Sequence, residues 1–373
     1  MAVGRERIIS LQILRFVAAM MVVFHHTAVA GALANPVKFG PFARVGAAGV
    51  DIFFVISGLV IALTGPLASP RPSGAVFYWR RWSRVTPLFW IMSLALLAFY
   101  WSPNPPNPIG FSGTLGLGRT VATILFWPVT GANTIAFPYL AVGWTLCLEM
   151  LFYAGVSLAL IGGNLRRNLV IGIVCAIGLL AMRQVSNWLG FRLLTNGMFI
   201  EFGAGVGLAM LLPQFQRVSL RLGAAMLALA VAGFGIAMMT RFDVRDIGGI
   251  FEDRAYVRVC YFGAPAIILV MAALILDRAV AGSTTTKFLA RLGDASYSIY
   301  LAHPLVLLGI YNLWRVSGLP PALAPVAGMV MSVVVGVAVH RWVERPVLRG
   351  FRRLGEPSVQ LTTTEPPIVG VAQ

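Results

Sequence analysis

Apolar residues in this chain come in long runs, separated by short stretches rich in arginine, glycine and proline. A helix needs roughly 20 mostly apolar residues to cross the hydrocarbon of a bilayer. On that measure the pattern predicts ten spans, at about 9–32, 49–66, 86–102, 139–163, 168–185, 194–212, 222–240, 256–276, 296–316 and 322–343. The stretch 119–137 is also apolar, but Pro128, Gly131, Asn133 and Pro138 break it. It is predicted to be re-entrant or interfacial, and counting it as a crossing would invert every later span. No repeat and no soluble domain interrupts the pattern. The fold class is therefore all-α: a polytopic transmembrane helix bundle over residues 1–353, with a polar tail, 354–373, expected to be disordered and cytoplasmic.

Composition agrees. Of 373 residues 58% are hydrophobic and only 11% charged, whereas a soluble domain has about a quarter charged. The net charge of +16 would suit nucleic acid in another context. Here the arginines sit between apolar runs and read as topology signals, so no nucleic-acid partner is expected. With a cytoplasmic N-terminus, 18 basic residues fall on the inner side and 10 on the outer, Arg15 lying within a span. Asp243, Asp246, Glu252 and Asp253 offset the outer group at 241–258. Both termini are therefore expected to be cytoplasmic. Arg5, Arg7 and Ala32-Leu33-Ala34 imitate a cleavable signal. Arg15 interrupts the apolar run, however, and the run is longer than a signal needs, so it is read as the first membrane helix. Cys147, Cys175 and Cys260 each lie in an apolar stretch and read as buried thiols, with no metal spacing.

Ionisable residues inside spans carry the candidate chemistry, because they are costly in hydrocarbon and by default face a cavity. Arg15 and His26 are eleven residues apart, which on a helix is within about 20° of one face and about 16 Å along the axis. His25 is turned roughly 80° away. The plainer reading is an interfacial arginine and two histidines at a fraying end. Asp51 opens the second span, where the helix dipole favours a carboxylate; alternatively it enters beside His26 and orients the imidazole. Arg81 and Arg84 share a helical face and suit a polyphosphate, or else simply anchor the inner surface. Glu149 sits near mid-membrane with Thr145 and Tyr153 one turn to either side, and Glu201 is a weaker case of the same kind. Asp294 reads as an N-cap, His303 before Pro304 as packing against a kink, and Glu344 as either a local ion pair or a site residue.

Taken together these segments resemble the acyltransferase-3 family of bacterial integral membrane O-acyltransferases, from about Ile9 to Arg353. The matching elements are Arg15-x10-His26, Gly49-Val-Asp-Ile-Phe-Phe-Val-Ile-Ser-Gly58, Arg81-x-x-Arg84-x-x-Pro87, Trp144-Thr-Leu-x-x-Glu149 with Phe152-Tyr153, Gly293-x-x-Ser296-Tyr297-Ser298-x-Tyr300-Leu-x-His303, and Glu344-x-Pro346. Three positions depart from the family pattern: His25 stands where an aromatic residue is common, Met150 where a second acid is common, and Thr86 where tyrosine is common. The resemblance implies transfer of an acyl group, commonly acetyl, from cytoplasmic acyl-CoA to a hydroxyl of an extracytoplasmic carbohydrate or glycolipid. It implies that His26 is the essential histidine, that Arg15 belongs to its motif, and that Arg81 and Arg84 serve the donor. Glu149 and Asp51 complete the expected catalytic set, with no metal and no bound cofactor; acyl-CoA is a co-substrate. No SGNH-type domain is fused after the helices, so the chain is expected to act alone or with a separate periplasmic partner, among the lipids of a bacterial inner membrane.

In that scheme His26 either deprotonates the acceptor hydroxyl or carries the acyl group transiently. A proton-coupled transporter or exporter is the rival class, since intramembrane Arg, His, Asp and Glu also mark ion paths. Transporters often show matching halves with interrupted helices, and none is visible here.

Overall fold

The structure, a computed structural model, describes residues 8–34, 40–100, 116–127, 129–130, 135–136, 138–161, 164–185, 189–239, 254–280, 282–317, 320 and 323–355. The tail from 356 onward, Arg5, Arg7, Lys38 and the charged stretch 241–253 lie outside the described residues. In chain order the helices are α1 (Ile9–Ala34), α2 (Gly40–Gly46), α3 (Gly49–Thr64), α4 (Gly74–Tyr100), α5 (Leu117–Leu125), α6 (Trp144–Ala159), α7 (Leu165–Val185), α8 (Leu189–Leu194), α9 (Phe199–Phe215) and α10 (Leu220–Met239). They continue with α11 (Arg254–Val280), α12 (Thr284–Asp294), α13 (Ser296–Ser317), α14 (Ala324–Val339) and α15 (Arg345–Gly355). A π-helical turn, Val259–Gly263, lies within α11, and another, His340–Glu344, joins α14 to α15. The described strands are two-residue pieces, Val129–Thr130 and Ile135–Ala136, paired antiparallel.

Among the described residues, eight helical stretches are long and apolar enough to cross a membrane. The other two predicted spans are also helices, α7 with 21 residues and α13 with 22, each roughly 30 Å long. The protein is an all-α, multi-pass membrane bundle. Within 119–137, α5 has only nine residues and is too short to cross.

Close contacts set the direction of each helix. α6 runs antiparallel to α4, with Gly143 against Phe89 and Gly74 against Ser157. The chain therefore leaves α4 and enters α6 on the same side, as a non-crossing segment requires. α13 runs parallel to α1: Gly293, just ahead of α13, abuts the Gln12 carbonyl, and farther along the Tyr311 hydroxyl donates to Thr27 O at 2.7 Å. α15 returns to the first turns of α4, where Phe351 packs on Trp79 and Trp82. The start of α1, the end of α3, the start of α4 and α15 thus share one side of the bundle.

The core sits where α1, α3, α6, α9, α11 and α13 meet. Ala18, Ala19 and Val23 of α1 are fully buried, so the first helix is part of the core. α3 and α9 cross at Gly58 and Gly205, where an added Cβ would meet the Phe202 and Val55 carbonyls respectively. Small residues let backbones approach this closely, which strengthens dispersion contacts in the absence of a hydrophobic drive between helices.

Two expectations change. α4 begins at Gly74 rather than near 86, with Ser73 Oγ accepting the Val76 N–H at 3.3 Å as its cap. Arg80, Arg81 and Arg84 therefore lie on a helix, not in a loop; hydropathy hid its first turns because their charges face inward or into the interface. Of the three cysteines only Cys147 is buried, while Cys175 and Cys260 are exposed on the bundle's outer faces. An apolar environment is offered by lipid as well as by a core, so an apolar run does not distinguish the two.

Candidate active site

A cavity of about 280 Å³ opens between α1, α3, α4, α6 and α13. Its lining brings Arg15, Arg81, Arg84 and Glu149 together with Gln12, Ser57, Tyr153, Ser296, Tyr297 and Tyr300. These positions lie toward the side that holds the start of α1. The charges are three guanidiniums against one carboxylate.

Each charged group is placed by its helix. Arg81 and Arg84, three residues apart, face inward half-buried while Arg80 is exposed. The Arg81 guanidinium lies 5.7 Å from the Phe77 ring centre and 5.9 Å from that of Tyr153, and it donates to Thr64 Oγ1. Glu149 Oε1 accepts from Ser57 Oγ at 3.0 Å and from Tyr153 OH at 2.5 Å. One turn apart on α6, Tyr153 and Glu149 form the pair that the i, i+4 spacing predicts. Arg15 touches Gln12 Oε1 at 3.3 Å. Arg84 makes no hydrogen bond among the described residues, although its charge acts on Glu344 and Tyr153, so its guanidinium N–H groups are open to a ligand. Tyr297 donates to Val85 O at 2.7 Å and ties α13 to α4.

His26 lies farther along α1, partly exposed. Its Nδ1 is 3.0 Å from Val22 O and 3.2 Å from Nε2 of His303, which is fully buried. His303 Nδ1 meets Tyr300 O at 2.7 Å. Tyr300 links the two ends: it lines the cavity, its hydroxyl donates to Val142 O and contacts Thr145 Oγ1, both at 2.9 Å, and its ring lies 5.9 Å from that of His303. His25 turns the other way, its Nδ1 donating to Ala43 O at 2.7 Å. The helical-wheel separation of the adjacent histidines therefore holds in three dimensions. His303 does more than pack against a kink, and its contact with His26 is a tertiary fact with no local signal beyond the His-Pro pair.

Asp51 is not beside His26. Its carboxylate takes two bonds from Arg258, Nε to Oδ1 at 3.0 Å and Nη2 to Oδ2 at 2.7 Å, and Arg258 Nη2 also donates to Ala47 O at 2.9 Å. Both side chains are buried, and Glu201 is buried nearby with neither carboxylate oxygen hydrogen-bonded. An arginine within reach satisfies a buried carboxylate far better than a neutral imidazole does. By position along the chain Arg258 belongs with the outer-side arginines; its partner is 207 positions away, so sequence offers no pointer to the pair. Glu344 is turned inward by the π-helical turn and accepts from Ser298 Oγ at 2.6 Å and His340 Nδ1 at 2.7 Å. Among the described residues no three His, Cys, Asp or Glu side chains converge on a metal position.

A membrane bundle with a cationic cavity on one side and an imidazole pair beyond it suits an integral membrane enzyme or an ion path. A family model described as an acyltransferase domain, Acyl_transf_3, matches residues 8–341. The chain belongs to the acyltransferase-3 family and is an acyltransferase, which sets the transporter reading aside. It is 28% identical over 317 residues to the exopolysaccharide production protein ExoZ of Rhizobium meliloti (strain 1021), covering 84% of this chain and 93% of that protein. No solved structure matches.

Proposed function

We propose that the protein moves an acyl group, acetyl in the simplest case, from cytoplasmic acyl-CoA to a hydroxyl of a carbohydrate or glycolipid delivered from the opposite side, with His26 at the point of transfer. The observation that carries this reading is the cavity into which Arg15, Arg81 and Arg84 converge, with Glu149 the one carboxylate in its lining. Guanidiniums bind phosphate oxygens through paired, charge-assisted bonds, and acyl-CoA is a polyphosphate whose reactive thioester sits at the far end of a long arm. A donor held by its phosphates at the arginine end extends its thioester past Tyr300 toward His26. His26 then removes the proton of the acceptor hydroxyl as it attacks the thioester carbonyl; the C–S bond breaks, and the imidazolium returns the proton to the departing thiolate. Alternatively the imidazole attacks first, releases the thiol and passes the acyl group on. Glu149 holds Ser57 and Tyr153 and balances part of the cationic charge. Similarity to an exopolysaccharide production protein supports a polysaccharide or its lipid-linked precursor as the acceptor.

The arrangement requires the arginine side to be cytoplasmic, with both termini there. Membranes containing the protein, supplied with acyl-labelled acetyl-CoA, should pass label into a glycan or glycolipid fraction, while membranes carrying His26→Ala should not. Label that stays with the donor in the presence of the native acceptor pool would sink the proposal.

A further inference from the structure

The geometry points to His303 as a positioning residue that sets the tautomer of His26, leaving His26 Nε2 as the basic atom. This inference rests on the acyl-transfer reading for its kinetic test but not for its structural one. It begins with Pro304 inside α13. Proline has no backbone N–H, so the carbonyl four residues before it, that of Tyr300, loses its helical donor. The His303 side chain supplies the replacement, with Nδ1 at 2.7 Å from Tyr300 O. A carbonyl oxygen only accepts, so Nδ1 carries the proton. His303 is completely buried, and a second proton would place a cation where its polar neighbours are the Tyr300 and Ile299 carbonyls and another imidazole, with no carboxylate beside it among the described residues. The ring is therefore neutral, and its Nε2 is a bare lone pair.

That lone pair lies 3.2 Å from His26 Nδ1. Two nitrogens at this distance need one proton between them, and His303 Nε2 has none to give. His26 Nδ1 must hold it. Val22 O, 3.0 Å from the same atom, makes the same demand. The proton on His26 Nδ1 is shared between two acceptors, and Nε2 is left free of hydrogen for the acceptor hydroxyl or the thioester carbon. When His26 takes up a proton at Nε2, the new imidazolium keeps both acceptors on Nδ1. His303 thus stands where a triad has its carboxylate, but as a neutral group, which avoids a buried anion. Tyr300-x-x-His303-Pro304 is then one device: proline frees a carbonyl, the carbonyl orients one histidine, and that histidine orients the next.

Three variants separate this role from packing. His303→Phe keeps an aromatic ring but no acceptor, His303→Ala keeps neither, and His303→Gln brings an amide oxygen to about the place of Nε2. Phe and Ala variants should lose about 10- to 100-fold in kcat, less than a complete tautomer error because Val22 O remains. KM for acetyl-CoA should not move, and His303→Gln should recover most of the loss. A Phe variant as active as the Gln variant would overturn the positioning role. Independently of activity, ¹⁵N spectra of histidine-labelled protein in bilayers report the tautomer of each of its four histidines, with assignments from His303→Gln and His26→Ala. Both His26 and His303 should show protonated Nδ1 and bare Nε2; a protonated Nε2 on His303 refutes the inference. If wild-type membranes transfer no label the function proposed above falls, while the spectra still decide the tautomer.

Discussion

Two clusters of charge lie inside this bundle and are built on opposite principles. Between α3 and α11, Asp51 and Arg258 face each other through two hydrogen bonds, with exposures of 0% and 2%. Around the cavity, Arg15, Arg81 and Arg84 meet one lining carboxylate, Glu149, while Glu344 and Asp294 act from beyond the lining; the three arginines remain half-buried and border about 280 Å³ of open space. The Asp51–Arg258 pair is closed, its groups taken up by each other and by Ala47 O, although Glu201 lies buried beside it with neither carboxylate oxygen hydrogen-bonded. The second cluster is open, its guanidiniums bordering space where water or an anionic ligand can meet them. An intramembrane charge closed against a partner is therefore a poor pointer to a site, whereas intramembrane charges that border a cavity are a good one.

The sharpest way to break this contrast is at the histidine beyond the cavity. His26→Ala should lower turnover by about 10²–10⁴-fold if the imidazole acts as a base, and completely if it carries the acyl group, with a melting temperature lowered only by the loss of the contact to His303. An active His26→Ala enzyme would detach the imidazole from the cavity. At the closed cluster the expected loss is of folding instead. Arg258→Ala strands the Asp51 carboxylate, and breaking a buried pair this way costs about 3–5 kcal/mol. Replacing the pair together with the buried Glu201 beside it, as in Asp51→Leu, Arg258→Met and Glu201→Gln, should recover most of that stability and activity together. Thermal unfolding in detergent and transfer assays on the same samples test this; a stable but inactive triple variant would make this cluster part of the site after all.

Smaller effects are expected at the open cluster. Arg84→Ala removes a charge-assisted contact worth about 1.5–3 kcal/mol, raising KM for acyl-CoA roughly tenfold or more with no loss of stability. Arg81→Ala should cost less donor affinity, because Arg81 already spends donors on Thr64 and lies against Phe77 and Tyr153. Donor titrations of each variant rank the two. Unchanged affinity in both would return these arginines to topology anchors. The smallest effect belongs to His25→Ala, which loses the bond to Ala43 O, worth about 0.5–1.5 kcal/mol of stability, and should keep most activity. A dead His25→Ala beside an active His26→Ala would invert the assignment.

Much of this is legible along the chain, and the reason is the range over which each feature acts. Crossing a bilayer imposes a local requirement on each segment, so ten apolar runs announce ten helices, and Pro128, Gly131, Asn133 and Pro138 announce an interruption. Helical periodicity is equally local: it separates His26 from His25 and pairs Glu149 with Tyr153 without reference to any other helix. The start of α4 escapes a hydropathy reading because hydropathy assumes that charge means water, while Arg81 and Arg84 face a cavity inside the bundle.

Solvation and helical geometry are thus the part that the chain by itself determined: which segments span, which residues share a face, and which charges need an explanation. Only tertiary structure decided which charges answer one another. Asp51 found Arg258 rather than His26, and His26 found His303 across 277 positions. Pairings at that separation depend on which helices pack side by side, and so on surfaces contributed by the whole bundle. Near the site, Arg84 and Asp51 differ in what stands opposite them: a cavity for the one, a guanidinium for the other. No local pattern encodes that difference, because the partner or its absence belongs to another helix.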